Sequence, residues 1–322
     1  MHNALLHALE MVTVGERQHH GHLALFPLVA REERAPEYVV LREALDRGLA
    51  RITEVGLEGS VPELLFENPS GTSVLLLDGD ELVGARQNRV LNVTILIGPH
   101  SRTRIPVSCV ERGRWSYVSP EFRSEDRMMF ARGRAAKMAQ VSESLRRMGS
   151  RRSDQGRVWE AVAQKAAAFS ATTRTGAMSD VYAHAARDID SYRGAFHPTT
   201  RQVGAVFAVD GHAVGVELFD APRTFAVSLG KLVASYALDA LEHQGSPPGS
   251  IPAVKVAQEM LRRVATLRYH EAPSVGQGTE LRLEGPGLAG SAIVWGDRLL
   301  HLSVLEHELE SGEEPHRKGA AA

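Results

Sequence analysis

A single cysteine, Cys109, stands in a chain of 322 residues. One thiol closes no intramolecular disulfide and builds no thiolate zinc site alone, so a reducing compartment, the cytoplasm, is expected. No window of about 18 continuous apolar residues occurs, so no membrane span is expected. Met1–Gly15 lacks a basic leading segment, and Glu10 interrupts its apolar run, so this stretch is not expected to be a secretory signal. Charge of one sign is also scarce: 37 Lys and Arg face 39 Asp and Glu, a formal net charge of −2. Nucleic acid is therefore not an expected partner, because such binding needs clustered positive excess. No glycine-rich phosphate fingerprint follows a strand, and no fixed-period repeat is visible.

What is present is an ordinary globular mixture, 43% apolar and 24% charged. Heavy use of Ala, Arg, Gly and Val suits a bacterial genome rich in G and C. Apolar runs at 22–30, 51–55 and 64–67 read as strands, and Glu37–Gly48 as a helix. Asp78-Gly79-Asp80 predicts a hairpin between 73–77 and 81–83, and Gly98–Ser101 a second one between 90–97 and 104–110. Residues 121–196 carry few strand signals and predict two or three helices, broken near 149–150 and 170–175. Asp210-Gly211 predicts a third hairpin. Helices over 225–243 and 251–266 flank a Gly245–Gly249 loop, and three short strands close the chain. Strands, then helices, then mixed segments indicate an α+β fold rather than a regular βαβ wind. The expected layout is one domain over 1–308: a β-rich lobe with hairpins (1–120), a helical segment (121–196) and an α+β lobe (197–308). A flexible tail follows at 309–322.

The chemistry concentrates between Asp78 and Trp115. Glu81-x-x-Gly84-Ala85-Arg86-Gln87-Asn88-Arg89 sets a carboxylate, two amides and two guanidiniums beside an apolar strand, and Cys109-Val110-Glu111-Arg112-Gly113-Arg114-Trp115 closes another. Pairing of the two strands would bring Gln87 and Arg89 against Glu111 and Arg114. Alternation puts Cys109 and Glu111 on one face.

The chain resembles the ARG and Rhodanese-Phosphatase-superfamily-associated protein domain family. The resemblance rests on ELLFENPSGTSVLLLDGDELVGARQNRVLN, IPVSCVERGRW, VELFDAP and KLVASYALDAL, and it extends to about residue 305. The family is named for its genomic company with ADP-ribosylglycohydrolase-type and rhodanese-phosphatase-type proteins. The resemblance therefore implies a role around NAD- or ADP-ribose-derived nucleotides, and it assigns no catalytic residue.

Such a ligand would be a small-molecule partner with a pyrophosphate, ribose hydroxyls and an adenine face. Arg89 and Arg114 would clamp phosphate, Gln87 and Asn88 would bond ribose or base edges, and Trp115 would stack. Glu81 or Glu111 would serve as general base, and Cys109 as nucleophile if a neighbour lowered its pKa. A hydrolase or transferase of ADP-ribose-like nucleotides is the enzymatic expectation. The alternative is a non-catalytic binding or assembly module whose Arg–Glu cluster is structural or a homo-oligomer interface. No cofactor is implied. The His19-His20-Gly21-His22 string is read as solvated rather than metal-binding. The Arg-rich stretch 123–157, with ten basic residues against four acidic, is read as a solvated helix face.

Overall fold

The computed structural model describes residues 2–56, 60–245, 247 and 252–307. The expected tail over 309–322 and most of the Gly245–Gly249 loop lie outside them. In chain order the elements are α1 (His2–Glu10), β1 (Val12–Val14), β2 (Gln18–His20), β3 (Leu23–Ala30), β4 (Tyr38–Val40), α2 (Leu41–Asp46), β5 (Arg51–Glu54), β6 (Glu63–Asn68), β7 (Ser73–Leu76), β8 (Asp80–Gly84), β9 (Arg89–Leu91), β10 (Ile95–Ile97), β11 (Ser101–Cys109) and β12 (Phe122–Met128). Four helices follow: α3 (Ala131–Met148), α4 (Gln155–Ala168), α5 (Met178–His184) and α6 (Ala186–Ala195). Then come β13 (Gln202–Val209), β14 (His212–Phe219), α7 (Pro222–Leu241), α8 (Val254–Ala265), β15 (Arg268–Pro273), β16 (Thr279–Gly285), β17 (Leu288–Trp295) and β18 (Arg298–Glu306). The class is α+β, as the order of strand and helix signals predicts.

The largest sheet has nine antiparallel strands, ordered β1-β3-β13-β14-β18-β17-β16-β15, with β2 also pairing with β3. Both its faces are covered, which is why β13 is buried along its whole length. Ala205, Phe207 and Val209 face a core shared with α3 and α7; Val203, Val206 and Ala208 face one shared with α1 and α8. In α8 the stripe Ala257, Met260, Val264 repeats at helical spacing and packs there. α7 is long and apolar enough to cross a membrane by composition, yet 83% of its 18-residue apolar window is buried inside the protein, as a core helix is. A six-stranded antiparallel sheet, β12-β8-β9-β11-β6-β5, and a small sheet, β10-β7-β4, share the third core.

Several expectations are corrected. Asp78-Gly79-Asp80 does not close a hairpin: β7 pairs with β10 and β4, while β8 pairs with β9 and β12. The chain turns there with Gly79 at φ +86°, but the two aspartates are drawn to different helices, which separates the strands. The second hairpin is half right. β9 pairs with β11, with Arg89 opposite Cys109, but β10 crosses to β7. Asn92 and Thr94 break the strand because their side chains bond elsewhere: Asn92 to the Arg151 carbonyl and the Ser108 hydroxyl, Thr94 to the Asp78 N–H. Tyr38-Val39-Val40, read as helix, forms a strand parallel to β7; these β-formers start the segment and only 41–46 is helical. The third hairpin forms as predicted, with Gly204 opposite Leu218.

Candidate functional site

The residues singled out in sequence come together at the end of β9 and β11. β8 and β9 are joined by residues 85–88, with Ala85 held at φ +41°, a conformation costly for a side-chain-bearing residue. Ser119 Oγ accepts the Ala85 N–H, and the Ala85 carbonyl accepts from Arg114. Arg114 also donates to Glu111 Oε2 at 2.6 Å and to Asn88 Oδ1 at 3.1 Å. Glu111 further accepts the Asn88 N–H at 3.1 Å and the Thr175 hydroxyl at 2.9 Å. Burial pushes the Glu111 carboxyl up, but these donors outweigh it and hold it below its ordinary value.

Arg89 is fully buried. It donates to Gln87 Oε1 at 3.1 Å and lies 4.0 Å from Glu54, yet its Nε and Nη2 have no hydrogen-bond partner. Glu81 is fully buried against Arg127 at 2.8 Å, and burial raises its pKa against that guanidinium. The Cys109 thiol is buried and pushed up to about 11, chiefly by desolvation and against the pull of Arg89, so at neutral pH it is not a thiolate. Both backbone groups of Cys109 bond the Gln155 side chain at 2.8 Å, which continues the strand pairing through an amide. Trp115 alone of the set is open, 46% exposed, beside Tyr117 at 50%. Arg86 lies over both rings, and Arg89 lies 5.7 Å from the Trp115 centroid. Most of this cluster is thus a brace whose polar atoms close on one another.

Sequence reasoning missed a second polar system. Asp78 pairs with Lys137 of α3, and Asp80 pairs with Lys231 of α7 at 2.6 Å, all four buried. Glu217 accepts from Arg134 at 2.7 Å and from Tyr236 and Ser303, with His301 3.3 Å away. Burial raises Glu217, but Arg134 and His301 outweigh it and keep the carboxylate charged. The Asp78 N–H donates to Thr94, whose hydroxyl lies 3.0 Å from His301, tying the turn to the large sheet. Arg134 and Lys137 are core residues rather than a solvated face. Gly79 makes room for Arg134: a Cβ there would overlap the Arg134 side chain. The signal was three carboxylates in Asp78–Glu81 and a lysine on the mostly apolar α7.

Two openings lie near this network, and Lys231 lines the smaller. A cleft of about 880 Å³ is lined by the start of α3, by α4, by the β13–β14 turn and by the end of α7. There Lys165 bridges Asp239, at 2.5 Å, and Glu242, and lies 4.5 Å from the Phe130 ring centroid. The Arg132 N–H donates to Asp239 and its guanidinium to Glu242 at 3.1 Å. At the rim Asp210 sits between His22, at 3.1 Å, and His243, at 3.8 Å. A smaller pocket of about 310 Å³ lies where α7 meets α2 and β12. His20 is turned instead to Ser191 and Tyr192, and the described residues hold no group of three metal-type ligands.

Fold and site define an α+β protein on a doubly covered antiparallel sheet, with a buried ionic network joining the Asp78–Asp80 turn to that sheet. A family model described as the ARG and Rhodanese-Phosphatase-superfamily-associated Protein domain matches residues 11–305, and the chain belongs to that family. Comparison with curated proteins and with solved structures found no match.

Proposed function

We propose that this is a cytoplasmic protein that binds an NAD- or ADP-ribose-derived nucleotide, and that it does so in the 880 Å³ cleft rather than at the β9–β11 cluster. The carrying observation is the cleft itself: its volume is in the range of nucleotide-sized ligand sites, and both charge types line it. The Arg132 guanidinium, which gives one N–H to Glu242, has others to offer a pyrophosphate. Glu242, Asp210 and Glu306 offer acceptors for ribose hydroxyls. The proposed function is binding, with no reaction assigned.

Calorimetry and thermal unfolding with NAD, ADP-ribose, ADP and adenosine test it. ADP-ribose at 100 times its dissociation constant should add about 2.7 kcal/mol of stability. Arg132→Ala and Glu242→Gln should each weaken binding about tenfold or more. A flat panel overturns the proposal. A second placement is favoured by the unpartnered N–H groups of Arg89 under the open Trp115 ring. Loss of binding in Trp115→Ala, with Glu242→Gln unaffected, would move the ligand there.

A further inference from the structure

The rim of the large cleft holds one carboxylate between two imidazoles. Asp210 begins the β13–β14 turn, and its N–H donates to the His22 carbonyl at 2.8 Å. Its side chain returns to the same residue, with Oδ1 3.1 Å from His22 Nδ1. A carboxylate only accepts, so that ring nitrogen carries the proton. His22 is held in turn: its N–H donates to the Tyr192 hydroxyl at 3.3 Å, and its side chain is buried. Asp210 is thereby fixed with its second oxygen towards the residues just past α7. There His243 Nδ1 lies 3.8 Å from Oδ2. Both Asp210 and the 38% exposed His243 line the cleft. A neutral imidazole with Nδ1 turned to a carboxylate keeps its proton on that nitrogen and its lone pair on Nε2. Such contacts are often long in an empty site and tighten when substrate is bound.

We propose that His243, positioned by Asp210, is a general base that activates water to cleave the nicotinamide–ribose bond of NAD, an activity that rests on the nucleotide reading of the cleft and adds a reaction to it. The water oxygen bonds to the anomeric carbon as the carbon–nitrogen bond breaks. The electron pair of that bond passes to the pyridinium nitrogen, so nicotinamide leaves uncharged. The water proton passes to His243 Nε2, and Asp210 steadies the imidazolium that forms. NAD and water thus give ADP-ribose, nicotinamide and a proton. The leaving group selects this bond. Nicotinamide needs no acid to depart, so a base for the water suffices. Cleavage of the pyrophosphate would bring hydroxide against negative charge. The cations of the cleft are already committed there: Lys165 pairs with Asp239 and Glu242, and Arg132 with Glu242.

Chromatography of the products released from NAD by the full chain tests this, beside calorimetry with ADP-ribose. The parent should release nicotinamide and ADP-ribose in equal amounts. His243→Gln should lower kcat at least about 100-fold, with KM and ADP-ribose affinity changed less than about threefold. Asp210→Asn, which keeps the shape and removes the charge, should lower kcat about tenfold or more in the same pattern. A structural role alone would instead weaken ADP-ribose or lower the melting temperature. If Asp210→Asn fails to fold, the exposed His243 decides. Binding of ADP-ribose with NAD left intact, or His243→Gln cleaving NAD at the parent rate, overturns the reaction and leaves the nucleotide reading standing. Failure to bind ADP-ribose together with failure to cleave NAD overturns both.

Discussion

The β9–β11 cluster and the ionic network behind β8 use the same side-chain types to different ends. In the cluster, Arg114 reaches Glu111 three residues away and Asn88 across the β9–β11 pairing, with backbone carbonyls and N–H groups filling the rest. In the network, Asp80 meets Lys231 and Glu217 meets Arg134 only after the whole chain has folded. The first is a local closure whose rim still touches water. The second holds charges away from water, with Arg134 Nε and Nη1 and Asp78 Oδ2 left without partners, so it has little pairing to spare. Similar polar content thus gives a tolerant brace in one place and an intolerant joint in the other.

Breaking one partner in each region should expose the contrast. Arg134→Met leaves Glu217 buried without its main cation and should cost about 3–5 kcal/mol, read by urea unfolding. Arg114→Met, in the partly wetted cluster, should cost about 1–3 kcal/mol. Equal costs would erase the distinction.

Acidification should sharpen it. Glu111 is held below the ordinary carboxylate value of 4.5, so it stabilises the fold above that pH. Its contribution is lost as pH falls through its lower folded value. Glu81 is raised above 4.5, chiefly by burial, so its charged form costs stability near neutrality. That cost is relieved as pH falls through its folded value towards 4.5. Urea unfolding across this range should show Glu111→Gln losing less stability in acid than the parent, and Glu81→Gln lacking the parent's gain. Slopes of the same sign in both would refute the assignment.

The smallest effect concerns Cys109. Its raised pKa and burial predict no labelling by a thiol reagent at neutral pH until the protein unfolds. Cys109→Ala should cost about 1 kcal/mol and leave nucleotide binding unchanged. Fast labelling of the folded chain would return the thiol to the list of reactive groups.

What sequence could show follows the same division. The Asp210-Gly211 hairpin, α7, α8 and the last three strands were legible because each depends on local periodicity and turn chemistry. So was the approach of residues 87–89 to residues 111–114, which the β9–β11 pairing brings about. β12 was missed because Phe122–Met128 is mostly charged and alternates poorly, and β15 because Arg268–Pro273 is a polar edge. The cations of the network were missed for another reason. Arg134 and Lys137 look like any basic helix face until the carboxylates they answer, distant in sequence, are placed behind them.

The pairing of β3 has a consequence for how the chain is made. Leu25 and Phe26 lie opposite Phe207 and Val206, so this apolar strand leaves the ribosome long before its central neighbour exists. At about 5–20 residues per second the wait is roughly 10–35 seconds. Meanwhile β1 and β2 can pair with only one edge of β3. The nascent chain therefore carries an open, sticky edge for most of its synthesis, and its yield in a cell should depend on chaperones that shield the first thirty residues.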